Sequence, residues 1–255
     1  MQKDNLLYKE NNLILKREFL KSNWAETDFN NSDMSKKLPF PLQQKPIKEN
    51  QNKIELLNKD KWQPVEVDLI KLIVERKSIR KYSDEKISFE ELSKLLFCTQ
   101  GIKKHFEGYS FRTVPSGGAR HPFETYFYAN KVENLEKGIY RYLPLDNSIV
   151  LEIPYYDGIE NDIHKATLEQ FWNPAIYFFW SVIPYRTEYK YIDAAAKLAA
   201  LDIGHVCQNL YLVAEANGCG VCAIGAYDQK AMDKLLKLDG NDEFIIYCAS
   251  VGKKL

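Results

Sequence analysis

Apolar and aromatic positions cluster in short runs separated by turn residues, and the runs follow two different periods. FETYFYA, GIYRYL, IVLEI, AIYFFWSVI, VCAIGAY and EFIIYCASVG are rich in β-branched and aromatic residues and predict strands. SFEELSKLLFCTQG follows the helical period. Ser88 with Glu91 three residues on forms a capping box, Leu92, Leu95 and Leu96 make one apolar face, and Gly101 suits the stop. A long helix is expected from Asp193 to Asn217, ended by Gly218. Small or apolar residues cover most of its circumference, which requires burial on several sides, either centrally or at a subunit interface. Strands and helices are interspersed without a regular βαβ repeat, and no G-x-G-x-x-G follows a strand. A dinucleotide-binding unit is therefore not expected, and an α+β sandwich fits better.

Two regions differ in texture. From residue 66 to 255 the elements are dense and the loops short, as in one compact domain. Residues 1–65 are rich in Lys, Asn, Gln and Asp around the proline-bearing stretch KKLPFPLQQKP, and cannot build a core alone. They read as an N-terminal arm, extended or partly helical, wrapping the main body or a partner subunit; a loose tail fits the composition equally.

Composition narrows the class. The 255 residues are 45% hydrophobic, enough for a proper core. Formal net charge is zero, which gives no global pull toward nucleic acid or an anionic membrane. The longest apolar run, from Ala175, is too short to span a bilayer, and MQKDNLLYKENN lacks the apolar segment of a secretory signal. Five cysteines at uneven spacing make no disulfide framework. These features predict a cytoplasmic, reducing-compartment protein with neither nucleic acid nor membrane as partner.

Four stretches carry candidate chemistry. Arg76, Lys77, Ser78 and Arg80 place three cations and a hydroxyl between a short helix and a turn, a donor set that suits a phosphate or a solvated basic surface. In VPSGGARHPFETY, Pro115 fixes φ, Ser116 adds a small donor, and Gly117 and Gly118 permit positive φ. Backbone can then lie against a planar ligand or an anion, unless the loop is only a turn. Arg120 and His121 beside it could serve substrate or cofactor, or pair with acidic neighbours. PYRTEYKY sets Lys190 beside Tyr191, a pair able to exchange protons or to form a charged pocket rim. Ala223-Ile224-Gly225 ends a strand, and Lys253 follows another closely enough to reach an anion near Arg76. Cys219 and Cys222 form an isolated C-x-x-C that reads as packing, the four histidines show no metal-ligand spacing, and YFFW reads as core.

In order along the chain, R-K-S-x-R at 76–80, P-S-G-G-A-R-H-P at 115–122, GIYRY at 138–142, D-x-G-H-V-x-Q-N-L at 202–210, A-I-G-A-Y-D at 223–228 and V-G-K at 251–253 resemble the FMN-dependent nitroreductase superfamily, in particular its SagB-type dehydrogenases. The resemblance implies a nitroreductase-like α+β sandwich, a mixed, mainly antiparallel sheet with helices on both faces. It also implies a homodimer with FMN at the interface. Arg76, Ser78 and Lys253 would hold the flavin phosphate, with Lys77 in the same motif, and Arg80 would stand near flavin N1 and O2. Pro115 to Gly118 would reach across from the partner chain, and the backbone of Ile224 and Gly225 would approach N5 and O4. Lys190 and Tyr191 match a pair that azoline-oxidising members use to handle protons. The following IDAAAK replaces the Arg-rich run of that subgroup, so the stretch looks more like stand-alone relatives. The implied activity is hydride transfer between a small organic or peptide-derived substrate and FMN. Two alternatives are an NAD(P)H-dependent nitro or quinone reductase, with NAD(P)H as electron donor, and a non-catalytic partner of a peptide-modifying complex that keeps the flavoprotein fold.

Overall fold

In the computed structural model, residues 13–22 and 24–255 are described. A seven-stranded sheet in the order β1-β6-β5-β4-β7-β9-β8 forms its centre. The strands are β1 (Lys53–Glu55), β4 (Phe123–Ala129), β5 (Gly138–Leu143), β6 (Ser148–Pro154), β7 (Ile176–Val182), β8 (Cys219–Ile224) and β9 (Phe244–Lys253). Every ladder between them is antiparallel, and among the described residues parallel pairing is confined to two isolated bridges, Ser78–Val221 and Ile87–Val132. β2 (Ile102–Phe106) and β3 (Tyr109–Arg112) form a separate hairpin.

Period-2 alternation splits the sheet's side chains between two cores. Phe127, Phe178, Trp180, Val221 and Val251 face one side, where helices α2 (Phe89–Gln100) and α5 (Ala195–Ala216) pack. Tyr126, Tyr128, Tyr177, Phe179 and Cys248 face the other, against α3 (Ile159–Ala166) and α6 (Gln229–Leu235). With both faces covered, β4, β5 and β7 are buried at every residue, which explains why they read as continuous apolar runs. Helix α1 (Leu69–Glu75) and the short α4 (Tyr185–Tyr191) complete the helices used below.

The capping box of α2 forms as expected: Glu91 N donates to Ser88 Oγ at 3.1 Å and Ser88 N donates to Glu91 Oε2 at 2.9 Å. Gly101 ends α2 in an extended conformation rather than a left-handed one. A Cβ there would stand 2.5 Å from the Phe97 ring, so closeness and not positive φ demands the glycine. One 3-10 turn, Ile192–Ala194, precedes α5, and Gly218 takes the left-handed φ of 70° just after it. Cys219 and Cys222 are buried in β8 at an odd offset, which turns their side chains to opposite faces.

Residues 24–65 run over the main body. β1 extends the sheet beside β6, and Tyr189 Oη donates to Leu38 O at 2.8 Å. Buried Arg141 donates to Lys45 O and Pro46 O, both at 2.9 Å, while its Nε holds Glu152 at 2.7 Å. Arg141 and Arg186 share Glu124, which keeps that carboxylate's pKa low against the pull of burial. Such a network is costly to break, because each lost partner leaves a buried charge.

Candidate active site

The four stretches gather into two groups. In the first, the chain leaves α1 at Arg76 and lies along β8, with Ile79 N donating to Val221 O at 2.9 Å. Gly220 permits this approach, since a Cβ there would meet Ile79 Cβ at 2.6 Å. Tyr211 of α5 ties the junction together: its hydroxyl accepts from Ala223 N at 2.9 Å and lies 3.0 Å from Ser78 Oγ. The Arg76 guanidinium sits 5.0 Å above the Tyr211 ring. Arg80 turns to other neighbours, 5.6 Å over the Trp172 ring, and its charge opposes the rise that burial imposes on the Cys222 thiol pKa.

Arg76, Lys77 and Arg80 make no ion pair among the described residues, so their charge remains available to an anion. Ile224 is buried in the sheet and Gly225 is exposed, with no atom closer than Tyr247 Cε2 at 3.7 Å to the Cβ it lacks. Lys253 is already engaged: it pairs with Glu91 and donates to Asn217 O at 3.4 Å. Burial alone would lower its pKa, but the Glu91 bond outweighs that and holds the ammonium above its ordinary value.

The second group forms around Pro115–Gly118. Ser116 Oγ donates to Asp202 Oδ2 at 2.6 Å, and Gly117 N donates to the same carboxylate at 3.1 Å. His121 N donates back to Ser116 Oγ at 2.9 Å, which closes the loop on itself. Burial pushes the pKa of Asp202 up, while the Ser116 and Gly117 bonds pull the other way. Gly118, Ala119 and His121 all take left-handed φ, at 58°, 55° and 44°. Strain of this kind costs about 1–3 kcal/mol at a non-glycine residue and gathers at ligand sites. Burial, reinforced by Arg112, pushes the His121 pKa down to about 3.

Tyr191 lies over this loop, its hydroxyl 2.4 Å from where a Gly118 Cβ would be. Trp24 and Phe29 hold its ring at centroid distances of 5.4 and 6.5 Å, and Lys190 Nζ is 5.1 Å from the ring centre. Lys190 and the loop border one cavity of about 750 Å³. Asp202 and Tyr211 stand nine residues apart on α5, so the two groups are separated by about 13.5 Å along its axis. The fold thus brings Arg76, Ser78 and Arg80 to β8, and Lys190 and Tyr191 to Pro115–Gly118, but leaves the two sets apart within one chain.

Three contributors escape the candidates named from sequence. Asp202 heads the D-x-G-H-V-x-Q-N-L motif at 202–210 with no role assigned from sequence, and it lies on the buried side of an apolar helix, between Ala199 and Val206. Tyr211 and Trp172 carry no local signal, since their roles depend on contacts far away in the chain.

An antiparallel sheet between two helix layers, closed by a C-terminal strand that runs between two others, is the nitroreductase α+β fold. Residues 73–253 match the Nitroreductase family, and the chain belongs to it. A nitroreductase of Methanocaldococcus jannaschii is 30% identical over 199 residues, covering 74% of this chain and 93% of that one. The crystal structure of a nitroreductase from Anabaena variabilis superposes with a TM-score of 0.62 at 26% identity, over 74% of this chain and 38% of the other. The Escherichia coli microcin synthetase McbBCD complex with truncated pro-MccB17 bound gives 0.61 at 22% identity, over 81% and 79%. NADPH:FMN oxidoreductase from Vibrio harveyi complexed with NAD+ gives 0.52 at 16% identity, over 73% and 68%.

Proposed function

We propose that the chain is an FMN-dependent oxidoreductase of the SagB-like branch, working as a cytoplasmic homodimer. The observation that carries this reading is the seating of Arg76 and Ser78 against β8 and Tyr211, with cations that no carboxylate among the described residues neutralises. That donor set fits a phosphate monoester, and the exposed Gly225 leaves backbone open beside it, while Gly220 lets the Ser78 segment lie close. FMN, when bound, supplies a hydride acceptor and donor.

The remaining chemistry belongs to the protein. Arg76 and Ser78 would hold the phosphate, with Lys77 adding charge and Lys253 joining if it shares its ammonium between Glu91 and the anion. Arg80 and the backbone of Ile224–Gly225 would face the ring. Pro115–Gly118 lies about 13.5 Å along α5 from the same chain's cation cluster, and in this reading a second copy's loop completes the site. Tyr191 Oη would hold or pass the substrate proton, with Lys190 Nζ beside it as the local cation. The microcin synthetase neighbour makes a peptide-derived substrate one form of this reading, and the Vibrio harveyi neighbour makes NAD(P)H a candidate electron donor.

The test is an absorption spectrum of the purified full chain, followed by release and identification of the chromophore. FMN equimolar with the chain is the expected result. A colourless protein that takes up no added FMN overturns the reading. Rapid bleaching by NADPH would favour the reductase form. Unchanged turnover in Lys190→Ala and Tyr191→Phe would remove both from the chemistry. Intact flavin with no turnover and a co-purifying partner would favour the non-catalytic form.

A further inference from the structure

The cavity beside Lys190 has an uneven charge that the rest of the chain does not share. Lys and Arg balance Asp and Glu at 35 each over the whole sequence. Among the described residues, Lys103, Arg112, Arg120 and Lys190 stand around this cavity against one carboxylate, Glu107. The two arginines are 3% and 6% exposed, and neither makes an ion pair among the described residues.

Arg112 satisfies its nitrogens on neutral acceptors, with Gln100 Oε1 at 3.0 Å, Gln43 O at 3.1 Å and Ser110 Oγ at 3.4 Å. Arg120 is less complete. It donates through one terminal nitrogen to Gly108 O and rests 5.8 Å over the Tyr189 ring, while its buried Nε has no partner. Two buried acids of the fold are already engaged, Glu124 by Arg186, Arg141 and Lys45 N, and Asp202 by Ser116 and Gly117. His121 adds no further positive charge, because burial keeps its imidazole neutral through the physiological range.

A buried guanidinium without a carboxylate is costly unless something anionic completes it. The walls say what else that anion carries. Phe40, Tyr109 and Phe111 line the cavity, and Phe106 stacks on Tyr109 at 4.7 Å, so a flat apolar body has surface to lie on. At about 750 Å³ the cavity suits a small organic molecule.

We propose that this cavity receives an organic carboxylate with a flat apolar body, its carboxylate on Arg120 and its body against Tyr109 and Phe111. Arg120 is then a specificity-determining residue, and the reacting end of the ligand points toward Lys190. The proposal rests on the oxidoreductase reading for the ligand's role as substrate, but not for its binding.

The test is calorimetric titration of the full chain, saturated with added FMN, with 4-nitrobenzoate and with its neutral methyl ester. We expect the acid to bind at least tenfold more tightly than the ester, and Arg120→Gln to remove that preference. Lys103→Gln, on the exposed rim, is expected to weaken the acid two- to threefold while leaving flavin content unchanged. It serves as the second variant if Arg120→Gln does not fold. Equal affinity for acid and ester, or no binding of either, overturns the proposal. So does release of FMN by 4-nitrobenzoate, since the cavity would then be the flavin's own seat. A protein that takes up no FMN yet prefers the acid would refute the flavin reading and leave this one standing.

Discussion

Gly118→Ala tests how Tyr191 is placed. The backbone at Gly118 has φ 58° and ψ 24°, where an L-residue costs about 1–2 kcal/mol. The new Cβ would also stand 2.4 Å from Tyr191 Oη and 3.0 Å from two ring carbons. Restoring ordinary contact requires the hydroxyl to move by about 1 Å, and Trp24 and Phe29 oppose that movement. Overpacking of this kind adds about 1–3 kcal/mol, for a total of about 2–5 kcal/mol. Urea unfolding followed by fluorescence measures the total, and Tyr191→Phe separates its parts. Without the hydroxyl the sharpest clash disappears, so Gly118→Ala should cost about 1 kcal/mol less in the Tyr191→Phe background. Costs that agree within about 0.3 kcal/mol in the two backgrounds would show that Tyr191 does not lie over the loop.

Asp202→Asn should destabilise by about 1–3 kcal/mol in urea, because it turns a buried double acceptor for Ser116 and Gly117 into a single one. Tyr211→Phe should cost about 1–2 kcal/mol in the same assay, since Ala223 N loses its acceptor and Ser78 its partner. His121 makes the protein acid-sensitive. Its folded pKa of about 3 lies below the ordinary 6.5, so the unfolded chain binds the extra proton between those values. Stability contributed by this group is full above about pH 6.5 and falls by about 1.4 kcal/mol per pH unit toward pH 3. His121→Gln should flatten that part of a stability-against-pH profile; an unchanged acid limb would place the titration elsewhere.

The sheet was legible where burial is complete. FETYFYA and GIYRYL coincide with β4 and β5, because residues hidden on both faces must be apolar throughout. The β2–β3 hairpin escaped because its first strand, IKKHF, is exposed at its three central residues and carries no apolar alternation. The Glu107-Gly108 turn, with Gly108 at φ 77°, was its only local mark. PYRTEYKY forms a helix although Tyr and Thr favour strands, because packing buries Arg186, Thr187 and Tyr189 on one side. Within the site, residues clustered in sequence, such as Arg76 and Ser78, could be named in advance. The partners of Asp202, which heads a sequence motif, and of Tyr211 could not, since each acts on a segment more than eighty residues away in the chain.

The position of β9 has a consequence for the order in which the molecule is made. β9 follows every other strand in the chain, yet it pairs with both β7 and β8. A ribosome that has translated β8 has produced a strand with no ladder to join. The Ser78–Val221 bridge, which seats the cation cluster, then has no sheet behind it. The ladder that ties the candidate site's seat on β8 to the rest of the sheet therefore forms only when β9 pairs with both β7 and β8.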